Sequence, residues 1–432
     1  MKLTNTFYSF KEVIIHVNKF LIILLPLFFI SGPFLTDFVF SLCALSLFFF
    51  LQDKEIKKLI NSKFFIYFIC FYLVLLFSSI MAIDKVLSLS NSIFYFRFGL
   101  FTIFFYFIIL NHPKILKKFF FVFLVCYSIL FVDGIYQYFI GYNLFFFDLI
   151  EKDRVSSFFG DELIMGSYLS RFFPLVIGLY AFLFVKSKKH FLHYLLFLNF
   201  VLLTIILVLM SGERTAFFFI IFGCILIVIF FNNFKVEKII LISVKVLILI
   251  ILFLNTSLND RIINLTLEDT NLNELNFENL NKGKIVFFNK QYQEHYRSGL
   301  NIFIDNPIIG VGPKNFRKVC SEKKYNISKD TCSTHPHNTY IQLLSETGLI
   351  GFSIIFTTLI YIIFLILKSQ YRKLKYKKPL LNNLQISILI SLTISLFPFS
   401  PSGNFFNNWV SCVYYLPIAI LIWSLKKNRR LK

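Results

Sequence analysis

Two histidines stand two residues apart in the stretch CSTHPHNTYIQLLSETGLIG, residues 332–351, among only seven in the chain. His335 and His337 lie beside Cys332 and Asn338, immediately before an apolar run. An imidazole titrates near neutrality, so His337 held neutral outside a bilayer can take a proton from a substrate hydroxyl. The competing reading is a polar cap, in which His335, His337 and Asn338 satisfy the free N–H groups of a helix start.

Two further stretches have residue types suited to an anion. In SGERTAFF, residues 211–218, Glu213 and Arg214 occupy a connection of only a few residues between apolar runs. A guanidinium there can grip phosphate oxygens through its fork and never loses its charge; the plainer alternative is a helix cap with an interfacial ion pair. In NPIIGVGPKNFRK, residues 306–318, two glycines precede Lys314, Arg317 and Lys318. A sharp turn with exposed N–H groups beside basic side chains suits an anion, but without a strand before and a helix after it is no dinucleotide site.

The elements that must position these residues are strongly apolar. Of 432 residues 57% are hydrophobic and 16% charged, with a mean hydropathy of +0.72, which excludes an ordinary soluble domain. The 61 phenylalanines read as large apolar filler facing lipid. A net charge of +21 raises the question of nucleic acid. The charges, however, fall in short clusters such as DKEIKK, KSKKH and YRKLKYKK between apolar runs, the pattern of cytoplasmic loops. No nucleic-acid partner is expected.

Apolar runs at 20–35, 36–52, 64–82, 93–110, 119–140, 163–185, 192–210, 215–231, 239–255, 348–367, 383–401 and 408–425 give about twelve candidate spans. The expected fold is an all-α polytopic membrane protein. Residues 1–255 hold nine spans, with the first helix read as uncleaved. Residues 256–346 form one large periplasmic loop, and 347–432 hold three spans and a basic tail. Lys and Arg enrichment of alternate short connections puts both termini in the cytoplasm. Within the long loop a helix is expected over about 287–304, ending before Pro307.

Five cysteines (43, 70, 126, 224 and 412) fall within spans as small apolar residues. Cys320 and Cys332 are the pair in the outward loop, and a bridge between them would add roughly 3 kcal/mol. A zinc site with His335 and His337, or free thiols, are the alternatives. Charged residues within spans, Arg97, Arg171 and Lys245, together with Asp133 and Gln137 on one helix face, line a groove or pair with one another. Arg154 is an acceptor-side candidate.

The spacing His337-Asn338, nine residues, then Gly348-x-x-Gly351 resembles the signature of the O-antigen ligase family. SGERTA, DNPIIGVGPKNF and DGIYQYFIGYN look like the same family, in the same order over nearly the whole chain. The resemblance implies about a dozen helices, one large periplasmic loop and the bacterial inner membrane. It also implies glycan transfer from a polyprenyl diphosphate carrier to an acceptor such as lipid A–core, with neither metal nor nucleotide cofactor. On this resemblance Arg214 and His337 are catalytic, and Glu213, Arg297, Lys314, Arg317, His335 and Asn338 bind substrate. Family members usually carry a second arginine just ahead of an aromatic at the start of the loop helix. Here the aromatic is Tyr296, no arginine precedes it, and Arg297 is the nearest substitute. An O-antigen polymerase or a protein O-oligosaccharyltransferase shares the motif, and a lipid-linked oligosaccharide flippase is the rival from another class.

Overall fold

The structure, a computed structural model, describes residues 2–150, 154–184, 191–254, 260, 264, 267–268, 290–329 and 331–430. The Asn-rich first part of the long connection and the Lys245 side chain lie outside this description. Among the described residues eleven α-helices precede that connection: α1 Lys2–Phe28, α2 Pro33–Leu47, α3 Lys54–Ile60, α4 Lys63–Ile80, α5 Lys85–Ser92, α6 Phe96–Asn111, α7 Ile115–Ile140, α8 Met165–Phe184, α9 Phe191–Ser211, α10 Arg214–Phe230 and α11 Lys235–Leu254. After it come α12 Lys290–Asp305, α13 Phe316–Val319, α14 Thr339–Tyr376, α15 Asn383–Ser395 and α16 Asn408–Arg430.

Short polar residues start several of these helices by accepting from N–H groups that have no partner in the first turn. Asp53 does this for α3, Ser62 for α4 and Asp84 for α5, while Asn382 and Gln385 form a reciprocal box at α15. The first break differs from the expected one at 35/36. Helix α1 stops at Phe28 because Gly32 takes φ 109° and Pro33 opens α2.

Among the described residues, eight helical stretches are long and apolar enough to cross a membrane, and α10 and α15 are shorter apolar helices. The chain is a multi-pass membrane protein. Helices α6, α8 and α15 are buried on nearly every side and form the centre of the bundle, as all-round apolar helices must. Helix α8 packs on α15 and α10, and α6 on α2 and α16. Phe34, Val86, Phe139 and Phe191 face outward and exposed. A second small core of Ile302, Val311, Phe316, Val319, Cys320 and Tyr325 holds the described part of the long connection together.

Candidate functional site

Helix α14 is continuous except at Gly348, which turns to φ 62°. That break frees carbonyls and N–H groups of the helix for the NPIIGVG segment. Val311 N–H donates to Ser345 O at 3.0 Å and Gly312 N–H to Glu346 O at 2.9 Å. In return Leu349 N–H donates to Pro307 O at 2.8 Å. A side chain at Gly348 would meet the backbone of Ile308, and one at Gly310 the backbone of Glu346. Glycine is therefore required on both sides of the seam. The Glu346 carboxylate completes the latch, accepting from Phe316 N–H at 3.0 Å and Gln342 Nε2 at 2.9 Å. Two motifs distant in sequence are thus one structural unit, and it presents residues 335–338 at its tip.

At that tip Asn338 caps α14, its Oδ1 accepting from Tyr340 N–H at 3.0 Å and Ile341 N–H at 3.2 Å. Its Nδ2 donates to Pro398 O at 2.8 Å. His335 is buried with both ring nitrogens engaged, Nε2 donating to Ser402 O at 3.2 Å and Nδ1 facing Thr334 Oγ1 at 2.9 Å. Burial and the neighbouring His337 push its pKa down to about 3. Both residues are struts that tie the tip to the 398–402 turn.

His337 differs. Its backbone takes φ 54°, an uncommon conformation for a non-glycine residue, held by Ser402 N–H donating to its carbonyl at 2.9 Å. Its half-buried ring lies 4.1 Å from the His335 ring, 5.2 Å from Tyr292 and 5.4 Å from His295, centroid to centroid. Among the described residues neither ring nitrogen has a hydrogen-bond partner. Burial, and then His295, hold its pKa down to about 4, so the imidazole is neutral at physiological pH.

Helix α12 brings His295 to this corner. Its Nδ1 faces the Thr331 carbonyl at 3.0 Å, and a carbonyl only accepts, so Nδ1 carries the proton and Nε2 offers a lone pair. That Nε2 is buried and has no partner among the described residues.

The second cluster lies where α9 ends and α10 begins. Glu213 accepts from Ser167 N–H at 3.0 Å, Ser167 Oγ at 2.8 Å and Gly166 N–H, so its carboxylate seats the N-terminus of α8. Burial pushes its pKa up to about 7 against the pull of those donors and of Arg154. Arg154 itself donates to Ser211 O at 3.4 Å. Arg214 opens α10, half-buried. One turn on, Phe218 packs on Phe397 at 5.2 Å, joined by Phe219 and Phe222. Phe397 precedes the turn that holds His335, His337 and Asn338. The histidine tip and the head of α10 therefore meet the same short segment at the same end of the bundle.

Residues 198–356 match the family model described as O-antigen ligase. Over that stretch the chain is similar to the O-antigen ligase family. A comparison with curated proteins found no match. The matched stretch includes both Arg214 and His337.

Not every expected site residue converges on the tip. Arg297 is on the exposed side of α12, 3.3 Å from Glu294, while the buried side carries His295 and Tyr296. Arg317 is exposed on α13, near enough to His335 to disfavour its protonation. Lys314 faces a separate cleft with Arg97. Arg97 and Arg171 do not pair with each other: Arg97 Nε meets Asp37 at 2.7 Å, and Arg171 Nη1 donates to Ser395 O at 3.3 Å. Asp133 and Gln137 share a helix face and are both buried. They bind the 143–157 connection through Leu144 N–H (2.9 Å), Ser157 Oγ, Ser156 N–H (3.1 Å) and Ser157 N–H (2.7 Å). Cys320 and Cys332 are bridged, Cα atoms 5.3 Å apart, so they hold no zinc with the histidines. No group of three or more His, Cys, Asp or Glu is arranged for a metal among the described residues.

Sequence reasoning missed His295. The sequence offered one signal, a histidine directly ahead of Tyr296 where an arginine was sought.

Proposed function

We propose that this protein is an inverting membrane glycosyltransferase that moves a glycan from a polyprenyl diphosphate carrier to an acceptor sugar. In this reading the twelve apolar segments, including α1, α10, α11 and α15, all span the inner membrane. Both termini lie in the cytoplasm, and the 256–346 connection, with the histidine tip, is periplasmic. His337 takes the proton of the acceptor hydroxyl as its oxygen bonds to the anomeric carbon. The bond from that carbon to the diphosphate breaks on the opposite face, and the polyprenyl diphosphate leaves. Arg214 stabilises the charge that grows on the leaving group. Glu213, Asn338 and His335 act as positioning residues, since their polar atoms are occupied by the fold. The acceptor is lipid A–core in a ligase, a second lipid-linked glycan in a polymerase.

The observation that carries this reading is His337: a neutral imidazole with unengaged nitrogens, gripped by the turn that packs on the α10 head. Against a flippase stands the use of Asp133, Gln137 and Arg171 in fixing loops and helices. The test is transfer by purified protein given a lipid-linked glycan and each acceptor in turn. His337→Ala and Arg214→Ala should abolish transfer with membrane insertion intact. Transfer retained by His337→Ala would remove it as the base.

A further inference from the structure

A cleft of about 320 Å³, apart from the histidine tip, opens between α2, α5, α6 and the start of α16. Its lining includes Asp37, Asn91, Phe94, Arg97, Lys314 and Asn408. Its size is at the lower end for small-ligand pockets.

Three features of the lining have no purpose in the fold alone. Lys314 is half-buried, and among the described residues its ammonium has neither an ion pair nor a hydrogen bond. Burial lowers its proton affinity, and so do Arg317 and Arg97, against the pull of Glu346, which makes no ion pair with it. A partly desolvated cation without a counter-ion is costly to keep. The Lys314 backbone is held at φ 63°, a conformation L-residues adopt only at a cost. Its neighbours enforce it: Phe316 N–H is fixed to Glu346, and the Asn315 side chain accepts from Asp84 N–H at 2.8 Å. Finally, Asn91 Nδ2 is buried with no partner among the described residues.

The acidic member does not neutralise Lys314. One Asp37 oxygen takes Arg97 Nε at 2.7 Å and the other takes Asn408 Nδ2 at 3.1 Å. The cleft thus has a surplus positive charge and an unused amide donor. Lys314 on the loop and Asn91 on α5 line the cleft from separate elements, while Arg97 on α6 is held by Asp37 and by Phe94 O at 2.6 Å; donors on separate elements can reach separate oxygens of a phosphate. Phe94 is 57% exposed and Val86, beside the lining Leu87, 81% exposed, so the mouth also has apolar surface where an acyl chain can lie.

We infer that the Lys314 cleft is a binding site for a phosphate group, separate from the proposed transfer site. A phosphate there supplies the missing counter-ion for Lys314 and an acceptor for Asn91. It comes from either an outer-leaflet lipid or free solution, and the two carriers differ in whether tails contribute.

The test uses the full-length purified protein in detergent, read by thermal unfolding against four probes: dioctanoyl phosphatidic acid, dioctanoylglycerol, octanoate and inorganic phosphate. A ligand that binds only the folded state raises the unfolding temperature saturably. Phosphatidic acid should do so and dioctanoylglycerol should not. Lys314→Gln should weaken the response roughly tenfold, the loss expected for one charge-assisted contact. Each variant is compared with its own ligand-free form, so a change in basal stability does not confuse the result, and Asn91→Ala gives a second, smaller loss. Inorganic phosphate acting at similar concentration identifies a free anion; phosphatidic acid acting alone identifies a lipid. Octanoate matching phosphatidic acid, or a response unchanged in Lys314→Gln, would overturn the inference. Since no glycan transfer is measured, the result stands apart from the proposed reaction.

Discussion

Asp133 with Gln137, and His295 with His337, are two polar pairs in a very apolar protein, and the fold uses them differently. Each polar atom of the Asp133 and Gln137 side chains meets a partner in the adjoining connection. His295 keeps one bare, buried nitrogen and His337 two unengaged ones. Burial of an unsatisfied polar group costs free energy, and of these two pairs only the histidines keep ring nitrogens open to a substrate proton.

Substitutions should separate the two pairs. The largest effect is expected at His337, where alanine removes the proposed base and lowers transfer by about 10²–10⁴-fold with little change in unfolding temperature. Asp133→Ala should do the reverse. It strips acceptors from Leu144 and Ser157, costing about 1–3 kcal/mol for each buried group left unpaired, while transfer per folded molecule is retained. Thermal unfolding beside a transfer assay reads both.

His295→Phe preserves the ring stack and deletes the Nε2 acceptor. Transfer should fall roughly tenfold, the loss of about one hydrogen bond. A second readout separates this from simple packing. The acid limb of transfer should lie near pH 4 in the parent protein, since His337 is protonated only as pH falls through about 4. With the neighbouring imidazole gone, that limb should move up towards the ordinary histidine value. The smallest effect is expected at Arg297, whose exposed ion pair with Glu294 is worth about 0–1 kcal/mol. Arg297→Ala should leave transfer within about twofold, and a loss comparable to that of Arg214→Ala would reverse the ranking.

Arg297 also shows where the sequence stops being legible. It was chosen because it stands next to Tyr296, where an arginine was sought, but it is two residues beyond His295, and two residues of α-helix turn the side chain by roughly 200°, to the opposite face. The contact between His295 and His337 spans 42 positions along the chain and depends on how α12 lies across the start of α14, which no local pattern encodes. The apolar runs were legible because a bilayer demands length and hydropathy: each described run holds a helix, and eight helical stretches are long and apolar enough to cross a membrane. The polar motifs were visible as exceptions to that background. That His-Asn-x9-Gly and NPIIGVG form one unit became clear only from the break at Gly348 and the backbone bonds it frees. The cap at Asn338 answers to the plainer alternative raised for its stretch, whereas the Glu213 side chain makes no cap for α10 and instead holds the start of α8.

The central claim is that His337 and Arg214 serve one diphosphate-linked donor. The most direct measurement is a cryo-EM structure of the full-length protein in nanodiscs with undecaprenyl diphosphate bound. The account predicts the diphosphate at the head of α10, in hydrogen-bond contact with Arg214, its terminal phosphate facing the His337 imidazole. A diphosphate seated elsewhere, with Arg214 and His337 both untouched, would contradict it.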